Sequence, residues 1–145
     1  MNENAYPFTL SRTEFRYEFI SVSAKKEVRK IVLLSQTEDS DIYNLALLDL
    51  FENGELSDTT ETNNDDLKTV IATVFQIIND FLLKVPDCFV GFRRSDERRQ
   101  RLYRIIIARQ LPLITKEFTV YGGTGKTIQI FEPNNYYNFY LIRKL

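Results

Sequence analysis
A chain of 145 residues, 43% hydrophobic and 27% charged, suits a single globular core and is too apolar for a disordered segment. Its formal net charge of −1 gives the molecule as a whole no pull toward nucleic acid or anionic membrane, so any such attraction has to be local. The absence of histidine excludes Ser-His-Asp and Cys-His catalysis and imidazole metal sites, and a single cysteine excludes an internal disulfide.

The opening segment "MNENAYPFTL" has neither the basic nor the apolar part of a signal peptide, and residues 1–13 are expected to be loosely ordered. Phe15 to Val22, "FRYEFISV", alternates: Phe15, Tyr17 and Phe19 point one way, Arg16 and Glu18 the other. That is the pattern of a half-buried strand. "VRKIVLLS", Val28 to Ser35, predicts a second strand antiparallel to the first. Ile42 to Phe51, "IYNLALLDLF", has few polar residues and predicts a central strand covered on both faces, completing a meander.

Residues 52–66 hold six acidic side chains and no basic one, so this stretch is an acidic loop with room for one short strand at its start. Asn63 to Asp66 supply capping groups for a following helix. From Leu67, apolar residues recur at 67, 70, 71, 74, 75, 78, 81, 82 and 85, which is helical spacing. Lys68, Thr69, Thr73, Gln76 and Asp80 fall on the wet side, and Pro86 ends the helix. "CFVGF" predicts a short buried strand in which Cys88 is a small buried thiol. A second helix is expected from Ser95 to about Gln110, ended by Pro112. "EFTVY", "TIQIF" and "YYNFYLIRKL" predict three closing strands. The order β-β-β-α-β-α-β-β-β implies one α+β domain over residues 1–145. Its sheet would be mixed and mostly antiparallel, of six to seven strands, with both helices on one face.

"YGGTGKT", Tyr121 to Thr127, superficially matches the end of a phosphate-binding loop. That loop needs a glycine where Val120 stands, and a helix where "TIQIF" alternates as a strand. A tight hairpin fits these glycines better.

"RRSDERRQRLYR", Arg93 to Arg104, places six arginines at the start of the second helix. At 100° per residue, Leu102, Ile105 and Ile106 define the inward face. Arg98 and Arg109 project within that apolar arc, Arg99 lies at its edge, and Arg101 and Arg104 lie outside. A guanidinium on a core-facing surface needs a carboxylate or a bound anion, because burying it unpaired costs several kcal/mol. Asp49 is the expected internal partner. Arg98, Arg99, Arg101, Arg104 and Tyr103 are therefore the candidate residues for binding an anion, a nucleotide or nucleic acid; the alternative is that the arginines are solvated charges that keep the helix soluble and pair with the acidic loop. Tyr136, Tyr137, Phe139 and Tyr140 are candidates for stacking bases, although aromatics at alternating strand positions are more often core.

Three readings follow. The first is a binding module for a phosphate-bearing partner. The second is a protein-interaction or homodimerisation domain using the terminal strand "NFYLIRKL". The third is a small histidine-free enzyme on a phosphodiester, with Arg99, Arg101 or Arg104 stabilising charge and Tyr103 or Glu97 moving protons. No catalytic residue, cofactor or metal ligand is assigned, since Asp65-Asp66 and Asp39/Asp41 read as solvated turns. No apolar run approaches a membrane span, and a cytoplasmic location is expected.

"IYNLALLD", "TNNDDLKTVIATV", the core Arg99-x-Arg101-Leu102-Tyr103-Arg104 and "NYYNFYLIRK" together resemble a family of small bacterial proteins of the Bacteroidetes type, known only as a domain of unknown function. The likeness runs from about Phe15 to Lys144. It implies a single cytoplasmic domain and carries over no activity. The family's usual "GST" before the arginine run is Arg93-Arg94-Ser95 here, and its glycine after "NLAF" is Leu48. Both departures disfavour a glycine-lined pocket at those points.

Overall fold
The computed structural model describes residues 5–11, 15–22, 27–57, 66–93, 97–125 and 127–145. The strands are β1 (Phe8–Ser11), β2 (Arg16–Val22), β3 (Glu27–Gln36), β4 (Ile42–Leu50), β5 (Leu56–Ser57), β6 (Phe89–Arg93), β7 (Phe118–Thr124), β8 (Thr127–Ile130) and β9 (Phe139–Lys144). Helix α1 (Leu67–Lys84) separates β5 from β6, and α2 (Glu97–Ile114) separates β6 from β7. The strand order in the sheet is β1-β2-β3-β4-β6-β9-β7-β8, with β5 paired to β4. All pairings are antiparallel except β4 with β6. The α+β architecture and the seven expected strands are present, joined by the short strands β1 and β5.

β2, β3 and β4 alternate as their sequences require. Tyr17 and Phe19, Val32 and Leu34, and Leu45 enter the buried core, together with Val90, Tyr140, Ile142, Phe118 and Val120 from the other strands. α1 contributes Val70, Ile71, Val74, Phe75, Ile77, Ile78, Phe81 and Leu82 to the same core, and α2 contributes Ile107 and Ile114. Both helices thus cover one face of the sheet. Ile31 and Leu141 are also buried, but they alternate with that set and lie on the opposite face. The expectation that β4 is covered on both faces is therefore corrected. Leu45 and Asp49 are buried, whereas Ile42, Ala46, Leu48 and Leu50 on the outer face are only half-buried.

The N-terminal segment corrects a second expectation. Instead of being loose throughout residues 1–13, it forms β1 over Phe8–Ser11, in register with β2 through Phe8↔Phe19. Just before it, the Tyr6 N–H donates to Thr73 Oγ1 at 3.0 Å. Thr73 is consequently buried, not on a wet face. Phe8, near one edge of the sheet, and Glu117, just before β7, line the same cavity against α1. The two halves of the sheet therefore both reach the same cavity beside that helix.

α2 also departs from expectation. It starts at Glu97 and continues through Pro112 to Ile114. A proline removes one N–H from the helical ladder, and the Thr115 N–H to Leu111 O bond of 2.9 Å closes the last turn regardless. Ile114, in the turn after the proline, is fully buried, which helps to offset that loss.

Among the described residues of the β7–β8 hairpin, Gly125 alone has a positive φ, 65°. Gly122 and Gly123 are needed for closeness instead. A Cβ on Gly122 would meet the Tyr137 ring at 2.3 Å, and one on Gly123 the Phe139 ring at 2.1 Å. Gly123→Ala should destabilise the fold by about 1–3 kcal/mol through overpacking. Gly125→Ala, which meets nothing within 4 Å, should cost less, about 1 kcal/mol from backbone strain. Urea unfolding of the two variants reads the difference directly.

Candidate functional site
β6 runs parallel to β4, so the chain leaves β6 and enters α2 at the end of the sheet where β4 finishes. α1 begins at the same end. Asp66, at its N-cap position, accepts hydrogen bonds from Ser21 Oγ (2.5 Å) and Tyr6 Oη (2.6 Å), and Tyr6 Oη in turn accepts from the Val22 N–H at the end of β2 (3.0 Å). Two helix N-termini therefore point to one end of the molecule, where backbone N–H groups and the helix dipoles favour negative charge. Asp66 is not a side-chain cap as the sequence suggested; its carboxylate ties the helix to β2 instead. Burial, followed by the hydrogen bond to Asp66, raises the Tyr6 phenol above its usual pKa.

Arg98, Arg99, Arg101 and Tyr103 lie on the first two turns of α2; their side chains fall outside the described residues. Arg104 is half-buried and Arg109 exposed, the reverse of the order expected from the sequence. Ile107, Leu111 and Ile114 set the inward stripe, which turns Arg104 toward the protein and Arg109 away from it.

The expected pairing of Asp49 with Arg98 involves a side chain outside the described residues; within them, Asp49 has a different partner. It is 4% exposed, and its Oδ1 accepts a hydrogen bond from Lys30 Nζ at 2.6 Å, directly across the β3–β4 ladder. Asp49 Oδ2 is buried and makes no hydrogen bond. A signal for Lys30 was present in the sequence. It occupies an inward position of the 28-30-32-34 alternation, where a cation requires a carboxylate on the next strand.

A second polar cluster, at the opposite end of α1, was not anticipated. The fully buried Tyr17 donates from Oη to Asp80 Oδ2 at 2.6 Å, and Lys84 Nζ approaches the same oxygen at 2.5 Å. Burial alone would raise the Asp80 carboxyl, but the hydrogen bonds from Lys84 and Tyr17 outweigh it and lower its pKa. Burial, then the bond to Asp80, raises the Tyr17 phenol. Asp80 faces a cavity of about 350 Å³ lined also by Phe8, Phe75, Gln76, Asn79 and Glu117. The sequence placed Asp80 on a wet face because nothing local announces Tyr17, 63 residues away.

Of the aromatic candidates, Tyr137 and Tyr140 are buried, Phe139 is half-buried over Gly123, and Tyr136 is 49% exposed. The Tyr137 hydroxyl is engaged by the Glu132 N–H and by Gln129 Nε2. Cys88 is a free, buried thiol whose pKa is raised by burial and by the nearby Asp41 and Asp87. Asp39 Oδ1 closes a turn on the Asp41 N–H, and among the described residues no group of three or more cysteine or acidic side chains is placed to hold a metal ion.

The outer face of the sheet carries a shallow groove of about 310 Å³ lined by Asp39, Asp41, Ile42, Phe89, Tyr121, Ile128 and Leu141. Phe89 and Tyr121 meet edge to face at 5.9 Å, and the Arg143 guanidinium lies 5.7 Å from the Phe89 ring centre. No helix of the described residues is long and apolar enough to cross a membrane.

Over residues 2–145 the chain matches the profile of a protein family described as a family of unknown function (DUF6934). No curated protein and no solved structure matches it.

Lys30→Met strands the Asp49 carboxylate in the core and should cost about 3–5 kcal/mol, whereas Lys30→Met with Asp49→Leu should restore most of that stability. Urea unfolding of the single and double variants distinguishes the two outcomes. Asp80, with its lowered folded pKa, contributes stability that is complete above the ordinary carboxylate range and is lost as pH falls through the folded value. Asp80→Asn should therefore flatten the acid side of the stability–pH curve, measured by thermal unfolding from neutrality into acid.

Proposed function
We propose that this chain, which belongs to that family of unknown function, is a bacterial cytoplasmic module that binds a phosphate-bearing partner, a nucleic acid or a nucleotide. Arg98, Arg99, Arg101 and Arg104 would hold the phosphate, and Tyr103 would stack or hydrogen-bond beside it. The observation that carries this reading is the pairing of Asp49 with Lys30 at 2.6 Å. The acid best placed by sequence to neutralise the start of α2 is engaged by another cation.

Position supports the same reading. α1 and α2 both begin at this end of the sheet, so their N-terminal fields add to the charge of the arginines. Guanidinium groups match phosphate oxygens in a bidentate manner, and a ligand held there by three or four of them would bind in a strongly salt-dependent way.

The test is fluorescence polarisation with short single- and double-stranded DNA and RNA, and with a labelled nucleotide, at low salt. Binding should weaken with added salt, with a slope of about −3 in log K against log salt for a duplex ligand held by three or four arginines. Arg101→Glu combined with Arg104→Glu should abolish it, while thermal unfolding confirms that the variant is folded. Absence of binding to every one of these probes ends the proposal.

A further inference from the structure
We propose that the free edge of β8 pairs with the same edge of a second copy of this chain, antiparallel about a two-fold axis at Gln129. The terminal strand expected to serve this purpose is unable to do so. β9 is hydrogen-bonded on both sides, between β6 and β7. β8 closes the strand order instead, and all four of its residues are exposed, Ile128 at 57% and Ile130 at 58%.

The backbone of β8 fixes which register is available. The Phe131 N–H donates to Val120 O at 2.8 Å, and the ladder pairs Gly122 with Gln129 and Thr124 with Thr127. Hydrogen-bonded and non-hydrogen-bonded pairs alternate along an antiparallel ladder. Thr127 and Gln129 therefore direct their N–H and C=O groups into β7, while Ile128 and Ile130 direct theirs outward. With Ile128 of one copy opposite Ile130 of the other, these outward groups form four hydrogen bonds between the copies. The same register keeps all four isoleucines on the outer face, as two cross-strand pairs. A slip of one residue would set isoleucine against glutamine on mismatched faces, and a slip of two leaves a single isoleucine pair.

"TIQI" itself has no charge or proline, the usual guards of an exposed edge. The closed two-fold arrangement uses up the edge, so assembly stops at two copies.

Light scattering on the full chain across a range of concentrations should report a dimer, and Ile130→Lys should convert it to a folded monomer. Gln129→Cys should form a disulfide-linked dimer under mild oxidation. Gln129 opposes itself in a non-hydrogen-bonded pair, whose Cα atoms lie about 4.5 Å apart, within disulfide reach. Thr127→Cys should not cross-link. A monomer at every concentration, a dimer that survives Ile130→Lys, or cross-linking through position 127 instead of 129 would each overturn the proposal.

Discussion
A helix that is apolar around most of its circumference has to be wrapped, and α1 imposes that demand on everything else. Its buried residues form the unbroken run from Val70 to Phe75 and then Ile77, Ile78, Phe81 and Leu82, far more than the single stripe of a helix lying on a flat surface. Burying side chains of this size contributes roughly 1.5–3 kcal/mol each, which favours bringing both halves of the sheet against the helix. The approach of Phe8 and Glu117 to one cavity, and the N-terminal segment laid across Thr73, both answer that demand. It also leaves the opposite face of the sheet without a helix.

The polar groups at the two ends of α1 then become anchors. Asp66 binds Ser21 and Tyr6 at one end, and Asp80 binds Tyr17 at the other, so the helix is fixed lengthwise against β2 by short hydrogen bonds. Lys30 and Asp49 hold β3 to β4 in the same layer. An apolar core alone tolerates sliding. Buried polar groups leave little such freedom, since a displaced partner leaves a desolvated charge. These pairs set where the end of the sheet lies relative to the start of α2.

What could be read from the sequence was whatever repeats locally. The period of two in β2 and β3, the helical spacing of α1, and the hairpin at Gly125 all depend on residues a few places apart. The failures share one cause, which is distance along the chain. Thr73 looks wet because Tyr6 covers it from more than 60 residues away, and the bond of the part-exposed Asp80 to Tyr17 spans a similar distance. Asp49 was assigned to Arg98 because the register that sets it against Lys30 is a property of the folded ladder. The inward face of α2 is expected on Leu102, Ile105 and Ile106; the side chains of Leu102 and Ile106 lie outside the described residues, and among those described Ile107 and Ile114 enter the core. The candidate arginines were legible as a charge cluster, and their setting at the sheet end follows only from the parallel pairing of β6 with β4.

The position of β9 has a consequence for how the molecule is made. β9 bridges β6 and β7, yet it is synthesised after both of them. On the ribosome, the meander of β2, β3 and β4 can form as soon as it emerges, but the β7–β8 hairpin has nothing to dock on until β9 is released. The two halves of the sheet therefore join as a late event built on long-range contacts, the kind that forms slowly and leaves sheet edges open in the meantime. Until β9 emerges, a nascent chain of this topology carries the partner edges of β6 and β7 unpaired.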